Sequence, residues 1–369
     1  MPRGPPGSGA APCCGGLRSL ARLPTPRDST TITPVTTPDI PVHLLTGPPR
    51  HGVARYTRDL VAQMPGVPVV TAQDPAELVA AVAGHRRAHL QFTDRLVASS
   101  PEGAAELVEA IAGRTRLTVT LHDVPQESDG ARNLVRRGAA YARVCAAADG
   151  VAVNSRHEAA LLGEHGVTDR PVRVIPLGAG TLPIPVLPPP SGAGVTALIA
   201  GWIYPGKGHD DVVRAVAAAV RRLGSTTGTV LAIGAPSPGH EDDVRQLTAL
   251  AADLGVTFTV TGGLDDADYA AALRGPGVPV AAHRHLSASR SLLDWGEQGR
   301  RPLVAESRYA AEMAGLRPGT LVTYPDDGLV EALVRAVRDP GSTVLPPGTS
   351  LRPTLADVAA EYLRWWAES

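Results

Sequence analysis

Gly201-Trp202-Ile203-Tyr204-Pro205-Gly206-Lys207-Gly208-His209-Asp210-Asp211 decides how this chain is read. It follows the apolar run Val195-Thr196-Ala197-Leu198-Ile199-Ala200 and leads into a helical pattern from Val212 to Arg222. A buried strand, a glycine-bearing turn and a helix start bring backbone N–H groups and a positive dipole end to one point, with Lys207 beside them. That combination predicts an anion site. Neither the eight-residue Walker spacing nor a GxGxxG fingerprint is present, so the site belongs to neither of those classes.

The same succession of strand, glycine turn and helix occurs earlier. Pro41 to Thr46 reads as a buried strand, Gly47-Pro48-Pro49-Arg50-His51-Gly52 as the turn and Val53 to Met64 as the helix. From there the first half alternates apolar runs with amphipathic stretches: strands at Val67–Thr71, Ala88–Phe92, Leu117–Leu121, Gly150–Val153 and Val172–Ile175, with helices between them. The second half repeats the alternation from Val195 to Arg338. Strands separated by helices predict parallel pairing through right-handed crossovers, with ligands gathered at the carboxyl ends of the strands. Polar clusters stand directly after strands: Gln91-Phe92-Thr93-Asp94, His122-Asp123 and Asn154-Ser155-Arg156-His157-Glu158.

The expected fold class is therefore α/β, with two facing Rossmann-like domains and a cleft between them. Pro176 to Gly194, carrying Pro183, Pro185, Pro188, Pro189 and Pro190, reads as a stiff linker of polyproline character. The expected division is a disordered leader over 1–39, a first domain over 40–185, a linker over 186–194, a second domain over 195–340 and a tail with a helix over 341–369. That last helix, Thr354 to Glu368, sets Leu355, Val358, Ala359, Tyr362, Leu363 and Trp366 on one face. It can pack on either domain.

A length of 369 residues is ample for two cores, and a net charge of −1 argues against a nucleic-acid partner. No apolar run approaches the roughly 20 residues that span a bilayer. The three cysteines, Cys13, Cys14 and Cys145, make no disulfide framework and fit a reducing cytoplasm, the expected location. The leader lacks the apolar core of a secretory signal. No metal is expected, because the His and carboxylate residues miss zinc spacings and no Asp-x-Asp pair occurs.

In these motifs the chain resembles the retaining glycosyltransferases of family 4. Their second domain opens with a strand and a Gly-Arg-x-x-x-x-Lys-Gly turn holding a nucleotide-sugar diphosphate, matched here by Gly201, Lys207 and Gly208, with Trp202 in place of the arginine. Gly52-Val53-Ala54-Arg55-Tyr56 is similar to the family's first-domain loop, Val174-Ile175-Pro176-Leu177-Gly178 to its hinge entry and Val256 to Asp265 to its base-binding stretch. The resemblance implies a GT-B architecture, a nucleotide-diphosphate sugar as donor substrate with no separate cofactor, a hydroxyl acceptor, and transfer with retention. It implies His122, Lys207 and Asp294 as catalytic residues, and Gly52, Gly201, Gly208, Ser289, Arg290 and Ser291 as donor-binding residues. Arg55, Asp94, Asp123 and Glu158 would lie on the acceptor side.

The family's donor-sugar element carries two glutamates, and here Asp294 stands at the second place and Leu286 at the first. Leucine neither accepts a sugar hydroxyl nor stabilises a cationic anomeric carbon. The readings left open are an active transferase, a catalytically degenerate nucleotide-sugar binder or partner of another transferase, and a nucleotide-sugar epimerase on the same fold. Donor base, sugar, acceptor, oligomeric state, start codon and any peripheral membrane contact stay open.

Overall fold

Short apolar runs leave strands buried on both faces, and each return through a helix enforces a parallel neighbour. The computed structural model describes residues 40–49, 51–190, 192, 194–284 and 286–368, and it carries this architecture twice. The expected leader over 1–39 lies outside the described residues. In the first half β1 (Val42–Thr46), β2 (Val69–Ala72), β3 (Arg87–Phe92), β4 (Arg116–Leu121), β5 (Gly150–Val153) and β6 (Arg173–Val174) form a sheet in the order β2-β1-β3-β4-β5-β6. In the second, β7 (Val195–Ala200), β8 (Gly228–Ile233), β9 (Thr257–Val260), β10 (Val278–Ala281), β11 (Leu303–Ala305) and β12 (Val322–Tyr324) run in the order β12-β11-β10-β7-β8-β9. All pairings are parallel, with Arg87 opposite Arg116 and Val195 opposite Gly228. These are two Rossmann-like halves.

Strand order reverses between β1 and β3 in the first sheet and between β7 and β10 in the second. A crevice opens at such a reversal, outside the carboxyl ends. Each half has its own core: Leu90, Phe92, Ile111, Val119 and Leu121 in the first, Ile199, Val216, Val230 and Leu333 in the second. Burying one such aliphatic side chain is worth about 1.5–3 kcal/mol, so each half carries its sheet on side chains of its own.

The chain then returns. The helix Leu355–Glu368 buries Val358, Ala359, Tyr362, Trp365 and Trp366 against Tyr56, Leu60, Met64, Ala152 and Ile175 of the first half. The Tyr362 hydroxyl meets Thr120 Oγ1 at 2.8 Å, and Arg87 Nη1 donates to the Trp366 carbonyl at 2.8 Å. Leu363, expected on the buried face, is 36% exposed, and Trp365 takes its place. The buried stripe follows positions 358, 359, 362, 365 and 366, which puts 363 at its solvent edge.

Expected element ends hold to within a few residues, with two differences of substance. The strand expected over Val172–Ile175 is only Arg173–Val174, because Pro171 and Pro176 bracket it and neither can donate to a ladder. The short helix Asp94–Val97 was not anticipated. The start of the proline-rich stretch is also pinned rather than open. Ala179 N donates to Pro353 O at 3.0 Å, Leu355 N to Ala179 O at 2.7 Å and Gly180 N to Glu297 Oε1 at 2.5 Å.

Candidate active site

The second-half crevice is built by the loops after β7 and β10. Gly201 adopts φ +106°, and a Cβ there would meet Lys207 Nζ at 3.0 Å, so the lysine amine lies directly under the turn. Gly208 sits in the left-handed region at φ +77°, where an added Cβ would lie 2.0 Å from the Ala282 carbonyl after β10. Only glycine satisfies both demands at 208. Pro205–Lys207 is a 3-10 turn and the helix His209–Leu223 starts at Gly208 without a side-chain cap. The Arg284 N–H donates to Gly206 O at 3.0 Å, tying the two loops together. His283 Nε2 thereby comes within 2.5 Å of Lys207 Nζ. Burial pushes the Lys207 ammonium down to about 7, against the pull of Asp294.

Ser289, Arg290 and Ser291 open the helix Arg290–Glu297, with Ser289 Oγ and Ser291 Oγ 3.0 Å apart and Ser289 N donating to Tyr309 OH at 3.1 Å. The Arg290 side chain runs along its own helix rather than toward that start. It pairs with Asp294 at 3.2 Å and with Glu297 at 2.7 Å, and Glu297 holds Gly180. Asp294 also accepts from Tyr269 OH at 3.1 Å, and burial raises its carboxyl above the usual range while Arg290 opposes that. Asp294 therefore stands between Arg290 and Lys207, partnered on one side and within electrostatic reach of the amine on the other. Leu286, at the place of the family's first glutamate, packs on the apolar cluster of Ala281, Leu292, Tyr309 and Met313. Trp202 is 39% exposed on the turn.

In the first half His122, after β4, is buried and clamped at both ring nitrogens. Nε2 lies 2.7 Å from Gln91 Oε1 and Nδ1 3.1 Å from Asn154 Nδ2, which also donates to Leu121 O at 2.8 Å. An amide oxygen on one side and an amide N–H on the other select the neutral tautomer protonated at Nε2. Burial, with His51 adding to it, pushes the imidazole down to about 3. Gln91 continues to His89 Nε2 at 3.1 Å and to Tyr362 OH at 3.3 Å, so the chain of polar contacts reaches the returning helix.

Asp94 and Asp123 are gathered by one cation. Arg137 donates to Asp94 Oδ2 at 3.2 Å, Asp129 Oδ2 at 2.5 Å and the Asp123 carbonyl at 2.5 Å. Among the described residues Asp123 is the non-glycine at positive φ, +55°, a conformation that costs about 1 kcal/mol or more and is held by that clamp. Glu158 is buried and folded back, its Oε2 accepting from Asn154 N at 2.7 Å, and burial raises its carboxyl to about 8. It holds the loop after β5 through that amide and also lies within reach of Ser287 of the second half. Gly52 starts the helix Gly52–Val61 with open space where a Cβ would stand, and Arg55 on that helix reaches Asp266 of the second half at 3.3 Å. Ser155 Oγ donates to Ser287 O at 3.1 Å, and Tyr204 lies within electrostatic reach of Asp123 and Arg95. The two crevices thus face each other.

Lys207 and Asp294 lie within electrostatic reach of each other, as do Asp294 and Arg55 of the first half, and Tyr204 links the Gly201 turn to Asp123, while the Arg290 guanidinium is held by Asp294 and Glu297. Gln91 stood in a polar cluster picked out from the sequence, but His283 and Tyr269 did not. A histidine directly after an apolar run was a legible signal for the first; the second emerges only from packing. Among the described residues no three His, Cys, Asp or Glu side chains cluster as metal ligands, and no helix is long and apolar enough to cross a membrane.

Anabaena HepE in complex with UDP-glucose has a similar structure, with a TM-score of 0.68 at 14% identity over 89% of this chain and 100% of that one. The lipopolysaccharide outer core galactosyltransferase WaaB gives 0.57 at 10% identity over 88% and 99%. An S. aureus TarM variant crystallised with UDP gives 0.56 at 9% over 80% and 59%. At such identities these likenesses establish the fold, GT-B. No curated protein sequence matches the chain significantly. Residues 39–181 match the family described as Glycosyltransferase Family 4. The chain thus has a GT-B fold whose first half, residues 39–181, is similar to Glycosyltransferase Family 4.

Proposed function

We propose that the protein transfers a sugar from a nucleotide-diphosphate sugar to an acceptor hydroxyl with retention of configuration. The observation that carries the reading is the Lys207 amine lying under Gly201 at the strand-order reversal of the second sheet, with Tyr204 of the same turn within electrostatic reach of Asp123 of the first half. That HepE is seen with UDP-glucose supports a nucleotide sugar as donor. In this reading the diphosphate rests on the Gly201–Gly208 turn. The bond from the anomeric carbon to the departing phosphate oxygen breaks, the acceptor oxygen bonds on the same face, and its proton passes to that phosphate oxygen. Lys207 stabilises the charge that develops there. His122, with both ring nitrogens engaged, orients substrate rather than removing a proton. Ser289, Ser291 and Asp294 line the donor side, and Arg55 and Asp123 the acceptor side. The buried thiol of Cys145 suits a cytoplasmic setting.

The test is turnover of UDP-, GDP- and ADP-sugars against acceptor pools, with the product's anomeric configuration read by NMR. A retained product supports the reading and an inverted one overturns retention. A second reading, a nucleotide-sugar binder without transfer, is favoured by Leu286 lying in an apolar cluster where the family has a glutamate. Diphosphate binding with no product from any acceptor pool would select it.

A further inference from the structure

The corner under Gly201 holds an amine and an imidazole in direct contact, Lys207 Nζ to His283 Nε2 at 2.5 Å. One of these nitrogens must donate and the other accept. An ammonium has no lone pair and a doubly protonated imidazole has none to offer, so the bonded pair carries at most one positive charge. The neighbouring cations are already matched. Arg284 pairs with Asp210 and Asp211, each at 2.8 Å, and Arg290 pairs with Asp294 and Glu297. Among the described residues the other groups facing Lys207 are Asp294 from the helix Arg290–Glu297 and His209, a buried imidazole at the start of the helix His209–Leu223. Across the cleft Arg95 and Asp123 face Tyr204. Trp202 stands where a second diphosphate cation would otherwise be expected from the turn itself.

We propose that His283 is the second cation of the diphosphate site: Lys207 and His283 share one proton in the ligand-free protein, and a nucleoside diphosphate bound across them draws a second proton from solvent. This rests on the diphosphate reading of the Gly201 turn. Both nitrogens then turn their N–H bonds to phosphate oxygens, and the site's charge rises by one when the anion arrives. The burial that holds the Lys207 amine near neutrality keeps the empty site low in charge. It follows by linkage that diphosphate affinity falls as pH rises, by up to about tenfold per pH unit for one proton taken up.

The experiment is titration calorimetry of UDP into the full chain near pH 6.5, in two buffers of different ionisation enthalpy, for wild type and His283→Gln. The difference between the two proteins cancels the ionisation of UDP itself. Wild type should take up about one proton more per UDP than His283→Gln, and the variant should bind roughly ten- to a hundredfold more weakly. Equal proton balances overturn the inference while leaving the diphosphate site standing. Failure of UDP, GDP, ADP and CDP alike to bind wild type overturns both. Nitrogen-15 spectra of the wild-type imidazoles need no variant to fold: one ring should pass from neutral to doubly protonated on adding UDP, and its absence also overturns the inference.

Discussion

The carboxylate of Glu312, on the second half, accepts a hydrogen bond from the backbone N–H of His157, on the first half, at 2.9 Å. Its other oxygen takes the Arg156 N–H at 2.7 Å. These are the first amides of the helix Arg156–Glu164, so a side chain from one half occupies the anion position at a helix start in the other. Arg308, on the helix Arg308–Leu316 that also carries Glu312, reaches Glu164 at 2.5 Å and His157 Nδ1 at 2.8 Å. Glu312→Ala should cost about 1–2 kcal/mol in a urea unfolding curve, the scale of a lost helix cap. Glu312→Gln, which keeps one acceptor, should recover part of it.

Arg317 is a stronger pin. It is buried, and its guanidinium donates to Leu177 O at 2.6 Å, Leu351 O at 2.8 Å and Pro353 O at 3.1 Å, joining the linker to the segment that returns to the first half. Arg317→Ala strands the Leu177 and Leu351 carbonyls, Pro353 O keeping the Ala179 N–H, and should destabilise by about 3 kcal/mol, measured by thermal melting. Arg317→Lys should recover little, because an ammonium cannot reproduce the planar fork.

Lys207→Ala should weaken nucleoside-diphosphate binding by about 1.5–3 kcal/mol, the worth of one charge-assisted contact, read by calorimetry. The melting temperature should hold or rise, since the variant removes an amine whose protonation burial disfavours. Unchanged affinity would remove Lys207 from the site.

Acid should unfold the protein early. Burial lowers His43, His122 and His209 each to about 3 and His89 well below its usual value, while unfolded histidine titrates near 6.5. Below 6.5 the unfolded chain binds more protons, so the stability these rings contribute is complete above 6.5 and is lost as pH falls toward 3. Glu158, raised to about 8, runs the other way and loses its contribution as pH rises from its unfolded value through 8. Net, about three protons should be taken up on unfolding near pH 5.5, a slope of roughly 4 kcal/mol per pH unit at most. Urea midpoints between pH 5 and 7 check this. His43→Phe should lower the slope by one proton, because neither nitrogen of that buried ring has a hydrogen-bond partner.

Leu286→Glu installs the glutamate that the resemblance leads one to expect there but places a carboxyl against Leu292, Tyr309 and Met313. It should lower the melting temperature, by about 1–3 kcal/mol in stability. A gain in transfer despite that loss would show that the natural residue suppresses chemistry; loss of both would show a sugar site rebuilt around leucine.

The alternation of apolar runs and helices made both sheets legible, since a parallel strand buried on two faces has few other ways to be written. The Gly201 turn was legible for the same reason: glycine at 201 and 208 answers to backbone geometry that the surrounding strand and helix already imply. Side-chain direction was not legible. Arg290 reads as a cation at a helix start, yet Asp294 and Glu297, one and two turns further on, draw it along the helix. Glu158 reads as a polar residue at a strand end, yet its own helix start captures it through Asn154 N. His283 gains its meaning only when β10 comes to lie beside β7, two strands separated in sequence by the whole of β8 and β9.

The helix Leu355–Glu368 gives the molecule an order of completion. During synthesis the six strands of the first half leave the ribosome before any of the second, but the apolar face of Tyr56, Leu60, Met64 and Ile175 is covered by a helix that follows both sheets in the chain. Until then the ring of His43 has no Trp366 against it and Thr120 no Tyr362. The half that is translated first thus waits for a helix made after the whole second sheet, and a chain stopped short of Leu355 would carry that open face to chaperones and proteases.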